Sequence, residues 1–223
     1  MTNKHTQLVT DRHSTRAYLP TPVPPELLHQ VLRLARLAPS GANLQPGNFI
    51  AVQGATRQAL SQALVTAWRA GEQEGEDYAY FPDPLPMQLR KRQVGAARAL
   101  YGALGIERAD EAGRAQQFER NFRFFEAPVA LLVTLEQDFG NGGYMDLGMA
   151  LYGLMLGAEA LGLSSCAIGA LASFPRLIRN QLGLPDSSQI VCGVALGYAD
   201  PNAPVNQART TRCELDEYFR VLG

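Results

Sequence analysis

The chain has 223 residues, a formal net charge of -1 at pH 7 and 46% hydrophobic residues. This length is most simply one domain with a full core, and the near-neutral charge argues against a nucleic-acid binder. The three cysteines, Cys166, Cys192 and Cys213, lie far apart, which predicts neither a metal site nor a disulfide framework. The polar N-terminus lacks the apolar core of a signal sequence, so we expect a cytoplasmic protein that is not inserted in a membrane.

The first half of the chain is predicted to be mostly helical. Pro24 and Pro25 open a helix whose apolar residues recur with helical spacing until a further proline ends it. A short strand at 49–52 follows. Further helical patterns occupy 56–70, 87–104 and 110–122, and the acidic, proline-rich segment 72–86 between them is expected to be a loop. We interpret the region at about 55–125 as a helical excursion or lid on a single domain that spans 1–223.

The second half of the chain is predicted to hold the central strand and the central helix. Residues 129–135 form a continuous apolar run, which is typical of a strand covered on both faces. Segment 145–163 is almost wholly apolar and long enough to raise the question of a membrane span. Because it contains Asp146 and Glu159, we interpret it as a helix buried on all sides, with one side closed by a partner subunit. Further strands are predicted at 164–168 and 190–198, with a helix at 175–183 between them.

The order of these elements favours one class of fold. Helices of uneven length separate the strands, and the strands are few for a chain of this length. We therefore predict an α+β sandwich, in which a small mixed sheet is covered by helices.

Two arginine-bearing segments lie at opposite ends of the chain. They contribute Arg12, Ser14 and Arg16 near the start and Arg209 and Arg212 near the finish. Guanidinium groups and a hydroxyl suit a terminal phosphate, because the planar fork of arginine matches phosphate oxygens. The loop at 38–46 adds Asn43 and Gln45, whose amides can read the edge of a polar heterocycle. Together these residues predict one site for a phosphorylated, aromatic, redox-active ligand.

No nucleotide-binding or hydrolase fingerprint accompanies the arginines. The chain has no GxGxxG after its first strand, no GxxxxGK[ST], no HExxH and no GxSxG. Its three histidines are His5, His13 and His29, and His29 is expected on the surface of the first long helix. A hydrolytic triad is therefore not predicted.

Four segments of the sequence resemble the FMN-dependent nitroreductase family, and most closely its nitrobenzoate-reductase-like branch. They are RHSTRAYLPTPVPPELLHQVLRLARLAPSGANLQP at 12–46, RNFRFFEAPVALLVT at 120–134, YMDLGMALYGLMLGAEALGLSSCAIGAL at 144–171 and LGLPDSSQIVCGVALGYADPNAPVNQARTTR at 182–212. The resemblance covers nearly the whole chain, with the segments in the family's order.

The resemblance implies a homodimer with two FMN sites at the subunit interface. It also implies that NAD(P)H reduces the flavin and that a small nitroaromatic or quinone-like acceptor reoxidises it, by hydride transfer in a ping-pong cycle. No catalytic side chain is expected, because the cofactor carries the chemistry. Family relatives also carry out ene reduction, dehalogenation and flavin fragmentation, and a flavin-binding protein without significant turnover is a further alternative.

The site residues implied by the resemblance fall into four groups. Arg12, His13, Ser14 and Arg16 would contact the phosphate, ribityl chain and pyrimidine side of FMN, with Arg16 tuning the N1/C2 edge, and Arg209 and Arg212 would close on the phosphate. Pro39, Ser40, Asn43 and Gln45 would line the ring from the partner subunit, and Ala167, Ile168, Gly169 and Ala170 would run along the dimethylbenzene and N5 edge. On the acceptor side we expect Gly41 and Phe124, although Phe124 also fits a core position in its apolar run.

One position departs from the family pattern. A tryptophan commonly follows the Gln-Pro pair in the family, whereas this chain has Gly47. We expect the change to alter local packing and pocket size at the start of the first strand, without removing a contact to FMN.

Overall fold

A four-stranded sheet lies in the middle of the fold. The computed structural model describes residues 3–223, without the side chains of Lys4 and His5. The strands are β1 (Asn48–Val52), β2 (Val129–Glu136), β3 (Ser164–Ile168) and β4 (Ser188–Gly197), in the order β1-β2-β4-β3.

The sheet is antiparallel, so the expectation of a mixed sheet is wrong. Every neighbouring pair of strands runs antiparallel. β2 and β3 do point in the same direction, but β4 inserts between them, and the two parallel strands never become neighbours. The parallel pairing seen within residues 3–223 is an isolated bridge between Ser14 and Ser165.

Helices surround the sheet, and six of them lie close to the positions predicted from the sequence, whereas the sequence did not predict those at Lys4–Asp11 and Leu215–Tyr218. They are α1 (Lys4–Asp11), α2 (Pro25–Ala35), α3 (Gly54–Arg69), α4 (Met87–Ala103), α5 (Glu111–Glu119), α6 (Asn141–Ala160), α7 (Pro175–Leu182) and α8 (Leu215–Tyr218). Short 3-10 turns occupy Gly41–Asn43, Arg120–Glu126, Gly169–Ser173 and Pro204–Gln207.

The sheet separates two hydrophobic cores. Alternate residues of β2 point to opposite faces, as the period of a strand requires. Leu131 and Val133 join the core beneath α2 and α6, whereas Ala130 and Leu132 join the core beneath α3 and α7. The predicted α+β sandwich, with a small sheet covered by helices, is confirmed.

The predicted excursion contains both core and surface elements. α3 buries Leu60, Leu64 and Val65, so it belongs to the core rather than to a lid. α4 has no buried residue and lies on the surface. Of the two polar helices predicted at 87–104 and 110–122, α4 lies outside the core, whereas α5 buries Gln117 and Glu119.

The loop between α3 and α4 is tied to the sheet. The carboxylate of Asp77 accepts a hydrogen bond from the Ile190 amide at 2.9 Å and forms a salt bridge with Arg179 at 2.6 Å. The hydroxyl of Tyr78 donates to the carbonyl of Val191 at 2.7 Å. These bonds fix the course of the loop across the start of β4.

α6 is the central helix predicted from the sequence, but it is not buried on all sides in one protomer. α2 crosses it at Gly153 and Gly157, where the absence of side chains allows close approach. On its outer side Met145 is 64% exposed, and Met149 and Tyr152 are also exposed. Within residues 3–223 no element covers that strip, which leaves open the side of α6 that the sequence analysis assigned to a partner subunit. No helix in the described part of the chain is long and apolar enough to cross a membrane.

Gly47 lies where a larger residue does not fit. Its φ is +87°, and a Cβ atom there would lie 2.7 Å from Leu147 Cδ1 and 2.8 Å from the Thr134 carbonyl oxygen. The tryptophan common in the family would need a different path for the chain before β1. Glycine therefore lets the start of β1 pack directly against β2 and α6.

Replacing Gly47 with alanine should lower the free energy of unfolding by about 2–4 kcal/mol, because left-handed strain and overpacking add. Gly54 is a matched control, since its φ is +56° but nothing lies within 4 Å of its Cβ position. Gly54→Ala should cost only about 1–2 kcal/mol. Urea unfolding of both variants checks this, and equal losses would contradict the packing argument.

Candidate functional site

The arginine segments from the two ends of the chain meet at one cavity of about 550 Å³. The first segment contributes Arg12, His13, Ser14 and Arg16, and the second contributes Arg209 and Arg212. α4 supplies an apolar wall through Ala96, Ala97 and Leu100. Six residues that the sequence suggested for one anion site are thus brought together.

The four arginines of this cavity form no salt bridge within residues 3–223, although Glu159 lies near Arg12: burial raises the pKa of the Glu159 carboxyl, and the charges of His13 and Arg12 oppose that rise. The salt bridges there involve other arginines, namely Arg69, Arg92, Arg120, Arg123 and Arg179. Backbone carbonyl groups orient the cavity arginines instead: Arg16 Nη1 donates to Ser14 O at 3.2 Å, and Arg209 Nη1 donates to Asn206 O at 2.8 Å. A carbonyl holds a guanidinium in place without neutralising its charge. The positive charge therefore remains available for an anionic group such as phosphate.

A buried amide joins the two segments. The side chain of Asn206 accepts hydrogen bonds from the Arg16 amide at 2.8 Å and the Ala17 amide at 3.2 Å. It donates to the carbonyls of Ala17 at 2.8 Å and Asp200 at 2.9 Å. Sequence reasoning missed this role of Asn206, because its partners on the first segment lie 189 and 190 residues away and no local pattern marks them.

The N-terminal arm, residues 12–19, is also bound to the sheet. The amide of Thr15 donates to the Ser165 carbonyl at 3.1 Å. The hydroxyl of Tyr18 donates to the carbonyls of Thr15 at 2.8 Å and Ala195 at 3.2 Å. The arm therefore runs beside β3 and places Arg16 near the end of that strand.

Cys166 lies beside Arg16 but is not a reactive thiol. Burial raises the pKa of the Cys166 thiol, and the nearby charge of Arg16 opposes that rise only in part. A thiol rather than a thiolate is present at neutral pH, and it is the thiolate that attacks and ligates. Cys166 is part of the core on the α3 side of the sheet.

The loop at residues 40–45 lies outside this cavity. Ala42, Asn43 and Gln45 have φ values of 48°, 58° and 50°, a conformation that costs about 1–2 kcal/mol per residue. The Ser40 hydroxyl accepts from the Gln45 amide at 2.9 Å, and Asp146 Oδ2 accepts from the Gly41 amide at 2.9 Å. Gly41, Asn43 and Gln45 are exposed in the protomer, as is Pro39 just before the loop.

The turn after β3 has an aromatic neighbour that the sequence did not reveal. Ala167 is exposed, Ile168 is buried, and Gly169 and Ala170 are half-buried. A Cβ at Gly169 would lie 3.4 Å from the Tyr80 ring, which is 50% exposed. Burial raises the pKa of the Tyr80 phenol, so this ring is neutral at physiological pH. The sequence predicts only a loop at Tyr80, because no sequence pattern connects this residue with a turn ninety residues later.

The assignment of Phe124 to the acceptor side is wrong. Its side chain is 0% exposed and belongs to the core on the α3 side of the sheet. A Cβ at Gly193 would lie 3.0 Å from the Phe124 ring, which shows how closely the ring packs on β4. The alternative core position is the correct one, because a ring buried in this way cannot face a substrate.

Comparison with known proteins gives the family. The model of the nitroreductase family matches residues 9–198. Over its full length the chain is 40% identical to a 4-nitrobenzoate reductase from Pseudomonas putida, of which it covers 97%. It is 36% identical, over 95% of its length, to a chloronitrobenzene nitroreductase from Comamonas testosteroni, of which it covers 93%.

Solved structures agree with this result. The fold matches an FMN and NADPH-dependent nitroreductase, NfnB, from Sphigopyxis sp. strain HMH with a TM-score of 0.95 and 36% identity over 98% of each chain. It matches NfnB from Mycobacterium smegmatis, solved in complex with NADPH, with a TM-score of 0.92 and 31% identity over 98% of each chain. The chain belongs to the nitroreductase family, and the resemblance seen in the sequence is confirmed.

Asn206→Ala should lower the free energy of unfolding by about 2–4 kcal/mol, because it removes four hydrogen bonds and leaves buried backbone groups unpaired. The neighbouring exposed Gln207, with one bond of 3.4 Å to Pro201 O, provides the matched control Gln207→Ala. The control should change stability by less than about 0.5 kcal/mol. Denaturant unfolding monitored by circular dichroism measures both, and a similar small change in the two variants would contradict a structural role for Asn206.

Proposed function

We propose that this protein is an FMN-dependent nitroreductase that oxidises NAD(P)H and reduces nitroaromatic or quinone-like acceptors. The observation that carries the proposal is the cavity of four arginines, none of which forms a salt bridge in the described chain. Relatives named for 4-nitrobenzoate and chloronitrobenzene support the acceptor class. NfnB proteins described as FMN and NADPH-dependent, or as FMN-dependent and bound to NADPH, support the cofactor and the electron donor. Use of NAD(P)H implies a cytoplasmic location.

The cavity fits the phosphate end of FMN. A phosphate monoester is a dianion that accepts several charge-assisted hydrogen bonds, and clustered guanidinium groups supply them. The volume of about 550 Å³ lies within the range of about 300–1,000 Å³ typical of sites for small ligands. The apolar wall from α4 would exclude water from one side of the bound group.

The bound flavin would supply the redox chemistry, and the chain would hold and tune it. We assign the phosphate to Arg12, Arg209 and Arg212, with the Ser14 hydroxyl. Arg16, whose charge acts on the thiol of Cys166 in β3, is assigned to the N1/C2 edge of the ring. A fixed cation there favours electron uptake by the ring. The backbone amides of 167–170 are assigned to the N5 edge.

The remaining part of the site would come from a second subunit. Loop 40–45 is exposed in one protomer, although its left-handed residues make it costly to form. It lies beside the apolar strip formed by Met145, Met149 and Tyr152 on α6. A homodimer that covers this strip would also bring loop 40–45 to the flavin ring of the partner, with Gly41 toward the acceptor.

The purified protein should be yellow and contain one FMN per chain. NADPH or NADH should bleach the flavin under anaerobic conditions, and 4-nitrobenzoate should restore its absorbance. Stopped-flow absorbance measures the two half-reactions separately. Release of FAD would contradict the cofactor assignment, and FMN that neither nicotinamide reduces would indicate a flavin-binding protein instead.

Arg212→Ala should weaken FMN binding by about 1.5–3 kcal/mol, because it removes charge-assisted bonds to the phosphate. Arg90 is a matched control, since it is exposed on α4 outside this cavity. Arg90→Ala should leave the dissociation constant unchanged. Fluorescence titration of the apoprotein with FMN measures both, and an unchanged constant for Arg212→Ala would remove Arg212 from the site.

The protein should sediment as a dimer at working concentrations, with an interface on the order of 2,000–5,000 Å². Met149→Arg should weaken this dimer, because it places a charge in the middle of the apolar strip that the dimer would bury. Val94→Arg, at a 50% exposed apolar position on α4, is the control and should stay dimeric. A stable, FMN-bound monomer of the wild-type protein would overturn the proposed assembly.

A further inference from the structure

Asp146 is an acidic residue in the otherwise apolar central helix α6. Its side chain lies beneath loop 40–45, and the residue is only 8% exposed. Oδ2 accepts a hydrogen bond from the Gly41 amide at 2.9 Å. Oδ1 is buried and has no hydrogen-bond partner within the described residues.

This arrangement is a poor one for stability alone. A buried carboxylate loses its hydration, and one backbone amide repays only part of that loss. An apolar side chain in this position would lose no hydration of a charged group on burial. A buried polar group that is not fully paired therefore calls for a role outside folding.

The conformation of the loop above Asp146 needs stabilising contacts from outside the loop. Ala42, Asn43 and Gln45 all lie in the left-handed region, where L-residues with a Cβ are strained. Within the loop, the Gln45 amide is held by the Ser40 hydroxyl at 2.9 Å. Within residues 3–223, the bond from Gly41 to Asp146 is the one side-chain hydrogen bond between this loop and a helix, and it fixes the loop just before its left-handed residues.

We propose that Asp146 is a positioning residue for the flavin: its buried carboxylate holds loop 40–45 in the left-handed conformation that meets the ring. This inference rests on the proposed function, in which the loop lines the flavin of the partner subunit. The same bond fixes the amide of Gly41 and thereby sets the wall on the acceptor side. Asp146 does not touch the reacting atoms, and it acts only through the loop.

Three substitutions separate positioning from stability. Asp146→Asn keeps an oxygen acceptor for the Gly41 amide, Asp146→Ala removes it, and Asp146→Leu replaces the carboxylate with an apolar group of the same branched shape. Asp110→Ala is the matched control, because Asp110 makes the same kind of carboxylate bond, to the Gly113 amide at 2.8 Å, at the start of α5.

Asp146→Ala and Asp146→Leu should each raise the FMN dissociation constant about tenfold, on the scale of one charge-assisted hydrogen bond. They should also change the visible circular dichroism of the bound flavin, which reports the surroundings of its ring. Asp146→Leu should change both the FMN dissociation constant and the visible circular dichroism, and its unfolding temperature should equal or exceed that of the wild type. Asp146→Asn should stay within about threefold of the wild-type constant, and Asp110→Ala should match the wild type.

The loop itself gives a readout that needs no flavin. Amide exchange at Gly41, followed by NMR on the apoprotein, should be slow in the wild type and in Asp146→Asn but fast in the other two Asp146 variants. If Asp146→Leu lowers the unfolding temperature yet binds FMN with an unchanged constant and spectrum, Asp146 is structural and the inference is overturned. If the wild type binds no FMN, the proposed function fails instead, while the Gly41 exchange still shows whether Asp146 holds the loop.

Discussion

The hydrogen bonds of Asn206 are the interaction on which the candidate site depends. The cavity arginines come from segments almost two hundred residues apart, and each segment alone would be a short exposed piece of chain. One buried amide side chain bonds to Arg16, Ala17 and Asp200, so the two ends become one wall. Because its four bonds go to backbone groups, the arginine side chains remain free to face the cavity. The positive charge is therefore fixed in space before any ligand arrives, which is the condition for strong binding of an anion.

The rest of the structure places a strained loop and an apolar strip on the outside of the same molecule. Both are unfavourable in an isolated protomer, since exposed apolar area and left-handed residues cost free energy. The strip and the loop lie side by side. Assembly of two chains would therefore bury the strip and give the loop contacts with the partner. As proposed above, the arginine cavity would bind the phosphate end of FMN, and a dimer would complete the site around the ring.

The sequence predicts the elements well and their arrangement less well. Periodicity and proline positions locate the helices and strands, because these signals are local. The order of the strands is not local: β4 comes last in the chain but inserts between β2 and β3, which turns an expected mixed sheet into an antiparallel one. The position of Phe124 also depends on a contact that is distant in sequence. Its apolar run fits either the core or the substrate side, and its packing against Gly193 of β4 shows that it belongs to the core.

The residues of the candidate site also differ in whether the sequence alone predicts their role. The arginines were found because their residue type reveals the ligand chemistry, and the resemblance to the family supported their pairing. Asn206 and Tyr80 were missed because their roles depend on partners far away in the sequence. Asp146 was noticed only as an argument against a membrane span, whereas the structure shows it beneath loop 40–45.

The central claim is that the two arginine segments form one phosphate site. Comparing the binding of FMN and riboflavin to the apoprotein tests it most directly, because the two ligands differ only in the phosphate. The account predicts that FMN binds at least about 100-fold more tightly, since several charge-assisted bonds depend on that group. Equal dissociation constants for the two flavins would contradict it.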